Sequence, residues 1–137
     1  MLRENATLEE VQDFFKGDRF AYETTGCRLT EVSEGHAVAE LELDRDRHCN
    51  AMGGVMGGAI FTLADYALAA ASNYNVAPSV SVCNSIEFLA GAKGEKLIAT
   101  CTADRSGRSL GFYTVDVADD AGCKIAKMTA TCFRKDA

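Results

Sequence analysis

Apolar residues recur at helical spacing in one long stretch of this chain and alternate through most of the remainder. In GGAIFTLADYALAAASN, from Gly57 to Asn73, the residues Ile60, Leu63, Ala64, Ala67, Leu68 and Ala71 form the stripe of an amphipathic helix. Beside that stripe lie Gly58, Phe61, Asp65, Ala69 and Ser72, with none of the lysine or glutamate that marks a solvated face. The pattern therefore predicts a helix buried nearly all round. Ahead of it, Thr7 followed by Glu10 spells a capping box for a short helix through Val11, Phe14 and Phe15 that stops near Gly17. Tyr22 to Ser33 reads as a first strand. His36 to Leu43 reads as a second, with Ala37, Ala39, Leu41 and Leu43 on one side and Val38, Glu40 and Glu42 on the other. The DRDRH run that follows reads as a charged turn, and residues 50–58, rich in Gly and Met, as a loop. After a turn at 75–78, four strands are predicted at 79–89, 95–106, 109–118 and 123–134, separated by turns that carry Gly91 and Gly94, then Gly107, then Asp119, Asp120 and Gly122. A short helix, two strands, one long buried helix and four strands make an α+β domain in which an antiparallel, curled sheet of six strands carries its helices on one face.

Composition narrows the function classes. A length of 137 residues with 47% hydrophobic and 25% charged content suits a single domain spanning 1–137 with a real core. The net charge of −6 and a pI near 4.9, without any Lys/Arg cluster, argue against a nucleic-acid partner. No basic stretch followed by an apolar segment opens the sequence as a signal peptide would, and the apolar helix is too broken by Gly, Thr, Asp and Ser to span a bilayer. No membrane partner is expected, and the expected location is cytoplasmic. Cys27, Cys49, Cys83, Cys101, Cys123 and Cys132 form no CxxC pair, which fits reduced thiols packed as small core residues. His48 beside Cys49 could ligate a metal, but a metal is not the expectation.

From Cys49 to Ile86 the single formally charged side chain is Asp65, in the middle of the predicted helix. Aspartate is a mediocre helix former, and an ionised carboxylate is rarely buried without a partner. Either it sits exposed at a gap in the packing, or it is kept for acid or base chemistry, for which apolar surroundings tune its pKa.

The run NAMGGVMGGAIFTLAD, from Asn50 to Asp65, together with the element order, resembles the hotdog-fold acyl-CoA thioesterases of the PaaI type, and the likeness covers nearly the whole chain. In that family an Asn is followed by Gly, a hydrophobic residue and His-Gly-Gly at the start of the long central helix, then by Asp two turns on. Asn50, Gly54, Gly57, Gly58 and Asp65 match in type and spacing. The segments 103–112, with Arg105, Gly107 and Arg108, and 119–133 also look like the family's last strands. Met56 stands where the family carries His. That His supports the loop's geometry in the family, so the departure bears on rate and substrate more than on reaction class. The resemblance implies a hotdog fold and hydrolysis of acyl-CoA, with coenzyme A entering only as part of the substrate and no bound cofactor. It also implies a homodimer, or a tetramer of such dimers, with the active site at the dimer interface.

Thioester hydrolysis requires a donor for the carbonyl oxygen and a carboxylate that attacks or activates water. Gly57 and Gly58 open the helix, where N–H groups lack intrahelical partners and the dipole favours developing negative charge. Gly57 is the first choice for the oxyanion contact, although paired glycines also serve as plain helix-entry residues against a strand. Asp65 is the general base or the nucleophile, raised by the wall that Phe61 and Leu68 form. Eight residues at 1.5 Å each separate it from Gly57 by about 12 Å, too far for both to serve one carbonyl from one helix. The implied dimer resolves this by packing two helices antiparallel, so that Gly57 faces Asp65 of the partner subunit.

Asn50 orients water or the substrate carbonyl through its amide, or caps its own turn. Strict alternation puts Ser81, Cys83 and Ser85 on one face of the following strand and Val80, Val82, Ile86 and Phe88 on the other. The resemblance places a small polar residue near the carboxylate there, with Cys83 or Ser85 as candidates; ordinary sheet alternation explains them equally. Arg105 and Arg108 flank a hairpin turn, where they would meet coenzyme A phosphates or stand as ordinary surface arginines. Met56 and Phe61 are candidates to shape the acyl pocket. The favoured activity is hydrolysis of a medium-chain or aryl acyl-CoA. A hydratase or dehydratase of the same fold would need an acid/base partner for Asp65, and no His lies near enough in the motif. A non-catalytic acyl-thioester binder is favoured by Met56 and opposed by the retained Asp65.

Overall fold

In a computed structural model that describes residues 1–135, the capping box forms as the sequence predicts. The Thr7 hydroxyl accepts the Glu10 N–H and the Glu10 carboxylate accepts the Thr7 N–H, each at 3.2 Å, which starts α1 (Leu8–Phe15). Val11 and Phe15 point into the core, and Phe14 stays exposed.

The first half of the expected strand at Tyr22–Ser33 is helical instead. Phe20–Thr25 forms a π-helical turn closed by Gly26, whose φ of 99° lets its own N–H and that of Cys27 turn back to the Ala21 carbonyl. Only then does β1 (Arg28–Ser33) begin, followed by β2 (His36–Glu42). The DRDRH run is a one-turn helix, α2 (Arg45–His48), capped by the Asp44 carboxylate on the Asp46 N–H at 3.0 Å, and it carries His48 inward rather than out to solvent.

The long helix α3 spans Gly57–Asn73, as its periodicity predicts, and β3 (Ser79–Phe88), β4 (Lys96–Ser106), β5 (Leu110–Asp119) and β6 (Lys124–Arg134) complete the chain. All six strands pair antiparallel in the order β1-β2-β4-β5-β6-β3. The sheet's inner face presents Ala37, Ala39, Ala99, Val115, Val117 and Met128 to Leu63, Ala64, Ala67 and Leu68 of the helix. Alanines on both surfaces allow the helix to lie close, so the strands wrap it. The Tyr66 hydroxyl donates to the Phe15 carbonyl at 3.0 Å and the Tyr74 hydroxyl to the Ala6 carbonyl at 2.8 Å, tying the N-terminal segment across the helix. β3 is an edge strand, hydrogen-bonded on one side only and open to solvent along most of its length. Among the described residues no helix is long and apolar enough to cross a membrane.

Candidate active site

The loop from His48 to Met56 is a tight excursion that delivers the chain into α3. The Asn50 N–H donates to the Gly54 carbonyl at 2.7 Å, Cys49 bridges Val55, and the Met56 N–H donates to the His48 carbonyl at 2.8 Å. Asn50 spends its side-chain oxygen on this turn, accepting the N–H groups of Met52 (3.0 Å) and Gly54 (3.1 Å). The turn-capping role foreseen for it is thus realised, and only its NH2 group remains for a substrate or water.

Met56 is the N-cap residue of α3, is 56% exposed, and makes no side-chain cap. The N–H groups of Gly57 and Gly58, at the first two helical positions, have no intrahelical acceptor. A positive, uncapped helix terminus is left facing outward. Phe88 of β3 lies across Gly57: a Cβ added there would stand 3.0 Å from the ring, so a larger residue would require the exposed Phe88 ring to give way by a few tenths of an ångström. Gly58 faces open space.

Asp65 lies two turns on, partly buried, with Phe61 partly buried one turn before it and packed on the core. Its carboxylate makes no hydrogen bond or ion pair with any described residue. Burial pushes its pKa above the ordinary aspartate value, and the nearby carboxylate of Asp18 pushes it further. Asp18, in the turn after α1, is itself raised by burial. No spacing in the sequence announces this influence, because only the fold brings the Asp18 charge near enough to be felt at Asp65.

The structure corrects the reading of Cys83 and Ser85. A β-bulge between Ser81 and Cys83 inserts Val82 and reverses the alternation. Beyond it Asn84, Ile86 and Phe88 stand opposite the core residues Ala130, Met128 and Ala126, while Cys83 and Ser85 stand opposite Thr131 and Thr129 on the outer face. Before the bulge, Ser81 stands opposite buried Cys132. The polar residues on the inner face are therefore Ser81 and Asn84, joined by an Asn84 Nδ2 to Ser81 Oγ hydrogen bond of 3.3 Å, with the Asn84 Oδ1 buried and unpartnered. Cys132 senses Asp65: burial raises its thiol, a hydrogen bond with Ser72 opposes this, and the Asp65 charge adds to it. The inner face of β3 and the carboxylate thus share one neighbourhood.

Arg108 is exposed at the β4–β5 hairpin tip, and Arg105 stands opposite Phe112 on the outer face. Neither is paired with a carboxylate among the described residues. Two clefts of about 570 and 540 Å³ open beside β2 and the 44–47 segment, lined mainly by charged side chains, and neither includes Asp65 or Gly57. Among the described residues no group of three or more His, Cys, Asp and Glu side chains is placed to hold a metal.

A six-stranded antiparallel sheet wrapped round one long central helix defines the hotdog fold. Residues 52–126 match the family model of the thioesterase superfamily, and the chain belongs to that family. The chain is 31% identical over 120 residues to human acyl-coenzyme A thioesterase 13, an alignment covering 85% of each chain. A mutant form of phenylacetic acid degradation protein PaaI from Thermus thermophilus superposes with a TM-score of 0.77 at 28% identity, covering 83% of this chain and 97% of that one. The protein smu.793 from Streptococcus mutans, solved bound to acetyl CoA, gives 0.73 at 28% identity over 78% and 86% of the two chains.

Proposed function

We propose that this thioesterase-superfamily protein hydrolyses medium-chain or aryl acyl-CoA thioesters to the free acid and coenzyme A, in an active site shared between two copies of the chain. The observation that carries the reading is that α3 bears both halves of a hydrolytic site, the free Gly57 N–H and the unpaired, raised Asp65, about 12 Å apart along one helix. Antiparallel pairing of two such helices joins each N-terminus to Asp65 of the partner subunit. The acyl-coenzyme A thioesterase relative and the acetyl CoA complex support coenzyme A as the carrier.

In this site the Gly57 N–H and the helix dipole hold the thioester oxygen as it gains negative charge. The ionised Asp65 takes a proton from water as the water oxygen bonds to the carbonyl carbon, or attacks that carbon itself. In the first route the tetrahedral intermediate expels the coenzyme A sulfur, which takes the proton held by Asp65 and leaves as thiol with the free acid. In the second the C–S bond breaks to leave an Asp65–acyl anhydride and a thiolate that takes a proton from water, and water then hydrolyses the anhydride to the free acid and the regenerated Asp65 carboxylate. The Asn50 NH2 orients the water or carbonyl. Met56, Gly58 and Phe61 line the acyl end. Arg105 and Arg108 meet the coenzyme's phosphates as charge-assisted donors.

The dimer is supported by the unpaired edge of β3 with Val82 61% exposed beside it, since a long open edge is a ready template for a second copy. Val80, Leu110, Phe112 and Phe133 form an exposed apolar patch across the outer faces of β3, β6 and β5, which supports a tetramer built from two dimers. Six free thiols accord with a cytoplasmic site of action. A hydratase is disfavoured because both histidines are engaged elsewhere, His48 with Thr25 and Asp44, and His36 beside Glu31 at 3.7 Å.

The test is thiol release from a panel of short, medium, long and aryl acyl-CoAs. Turnover concentrated on medium or aryl chains and lost in Asp65→Asn is expected. Thermal protection by acyl-CoA without thiol release would make the protein a binder, and a changed acyl chain on an intact thioester would make it a hydratase.

A further inference from the structure

We propose that the His48 imidazole is a positioning residue that holds the Gly57 N–H on target. The proposal rests on the reading of Gly57 as the oxyanion donor. His48 is 4% exposed and both ring nitrogens are used. Its Nδ1 accepts the Asp44 N–H at 2.9 Å, which fixes the proton on Nε2, and the Nε2–H donates to the Thr25 carbonyl at 2.6 Å. Thr25 closes the π-helical turn and Asp44 caps the one-turn helix that ends at His48, so the ring bolts the loop to the distant turn while the cap residue fixes the ring's orientation. The His48 carbonyl accepts the Met56 N–H, one peptide before Gly57. The excursion 49–55 therefore opens and closes on this residue.

A helix start is ordinarily held by a side-chain cap, and here none exists. A cap oxygen on residue 56 would engage the Gly58 or Ala59 N–H and would leave the Gly57 N–H, which the substrate needs, without an anchor of its own. The position of the first turn is instead set from behind, through the His48 ring, its carbonyl and the Met56 peptide. Misplacing a reacting group by about 1 Å costs on the order of 10²-fold in rate, which is the leverage such an anchor has.

His48→Gln retains a donor where Nε2 stands, His48→Asn retains an acceptor where Nδ1 stands, and His48→Ala retains neither. Thiol release should show kcat falling about 10²-fold in His48→Ala with KM within about threefold, and smaller falls in the Gln and Asn variants. If the Ala variant does not fold, the other two carry the comparison. In parallel, Met56 amide exchange should accelerate and the Gly57 amide resonance should shift, with protection in the sheet unchanged. An unaltered kcat, a rise in KM in step with the fall in kcat, or unaltered Met56 exchange overturns the proposal. A wild-type protein that cleaves no thioester refutes the proposed function instead, and the exchange comparison then decides the anchor by itself.

Discussion

Replacing Asp65 by Asn removes one charge with almost no change of shape, so it separates chemistry from packing. The carboxylate has no hydrogen-bonding partner among the described residues to lose, and its folded-state pKa is raised by burial and then by Asp18. A group that binds its proton more tightly in the folded state stabilises fully below its unfolded-state pKa and loses that contribution as pH rises through the folded value. At neutral pH the ionised Asp65 is therefore a net cost, and the Asn variant should melt higher than wild type. Each 1 kcal/mol relieved is worth about 3–5 °C in a domain of this size. The advantage should shrink on acidification toward the ordinary aspartate range, where wild-type Asp65 takes up its proton. Loss of a general base costs about 10²- to 10⁴-fold, or roughly 3–5 kcal/mol of transition-state stabilisation at 1.36 kcal/mol per decade. The variant is thus expected to be more stable and nearly inactive. The wild-type rate should fall on acidification with a midpoint above 3.8, the ordinary aspartate value. Asp18→Asn should move that midpoint down. Calorimetry and thiol release from about pH 3 to pH 8, spanning the ordinary aspartate range, check each part. A variant that melts lower at pH 7, keeps activity within tenfold, or leaves the acid midpoint at the ordinary value would refute the reasoning.

Four further outcomes are expected. Gly111→Ala would place a Cβ 2.8 Å from Tyr113 Cε1 and 2.9 Å from Arg134 Nη2, both buried side chains, and should cost about 2 kcal/mol, seen as a melting point lower by about 6–10 °C. Met56→Ser supplies the missing cap on the Gly58 or Ala59 N–H and should stabilise by about 1 kcal/mol while slowing turnover, because its hydroxyl oxygen offsets the positive helix terminus that faces the thioester oxygen beside Gly57; a faster enzyme would contradict the role given to that terminus. Arg105→Ala with Arg108→Ala should raise KM for an acyl-CoA about tenfold and leave the matching acyl-pantetheine thioester unaffected, since each charged hydrogen bond contributes about 1.5–3 kcal/mol less solvent screening. Val82→Lys on the open edge should yield a monomer by size-exclusion chromatography and abolish turnover, and a fully active monomer would rule out the shared site.

Much of this protein is legible in its residues. Helix α3 could be bounded to the residue because six apolar positions keep a 3.6-residue period and glycine pairs open it, and a buried helix has few other ways to satisfy that pattern. The capping box and six strands were equally local signals. The isolation of Asp65 also belonged to the sequence, since a lone carboxylate in an apolar run conflicts with its surroundings wherever the run folds. What tertiary structure decided are matters of one-residue insertion and of distant partners. The bulge at Val82 exchanged Cys83 and Ser85 for Ser81 and Asn84 on the inner face, because a single extra residue inverts a period of two. Residues 22–25 read as the start of a strand, yet with a left-handed Gly26 after them they belong to a π-helical turn. His48 looked like part of a charged surface turn until its ring met Thr25, 23 residues earlier in the chain. Local periodicity determines which elements form, whereas the contacts that aim the site arise between segments that only the closed sheet brings together.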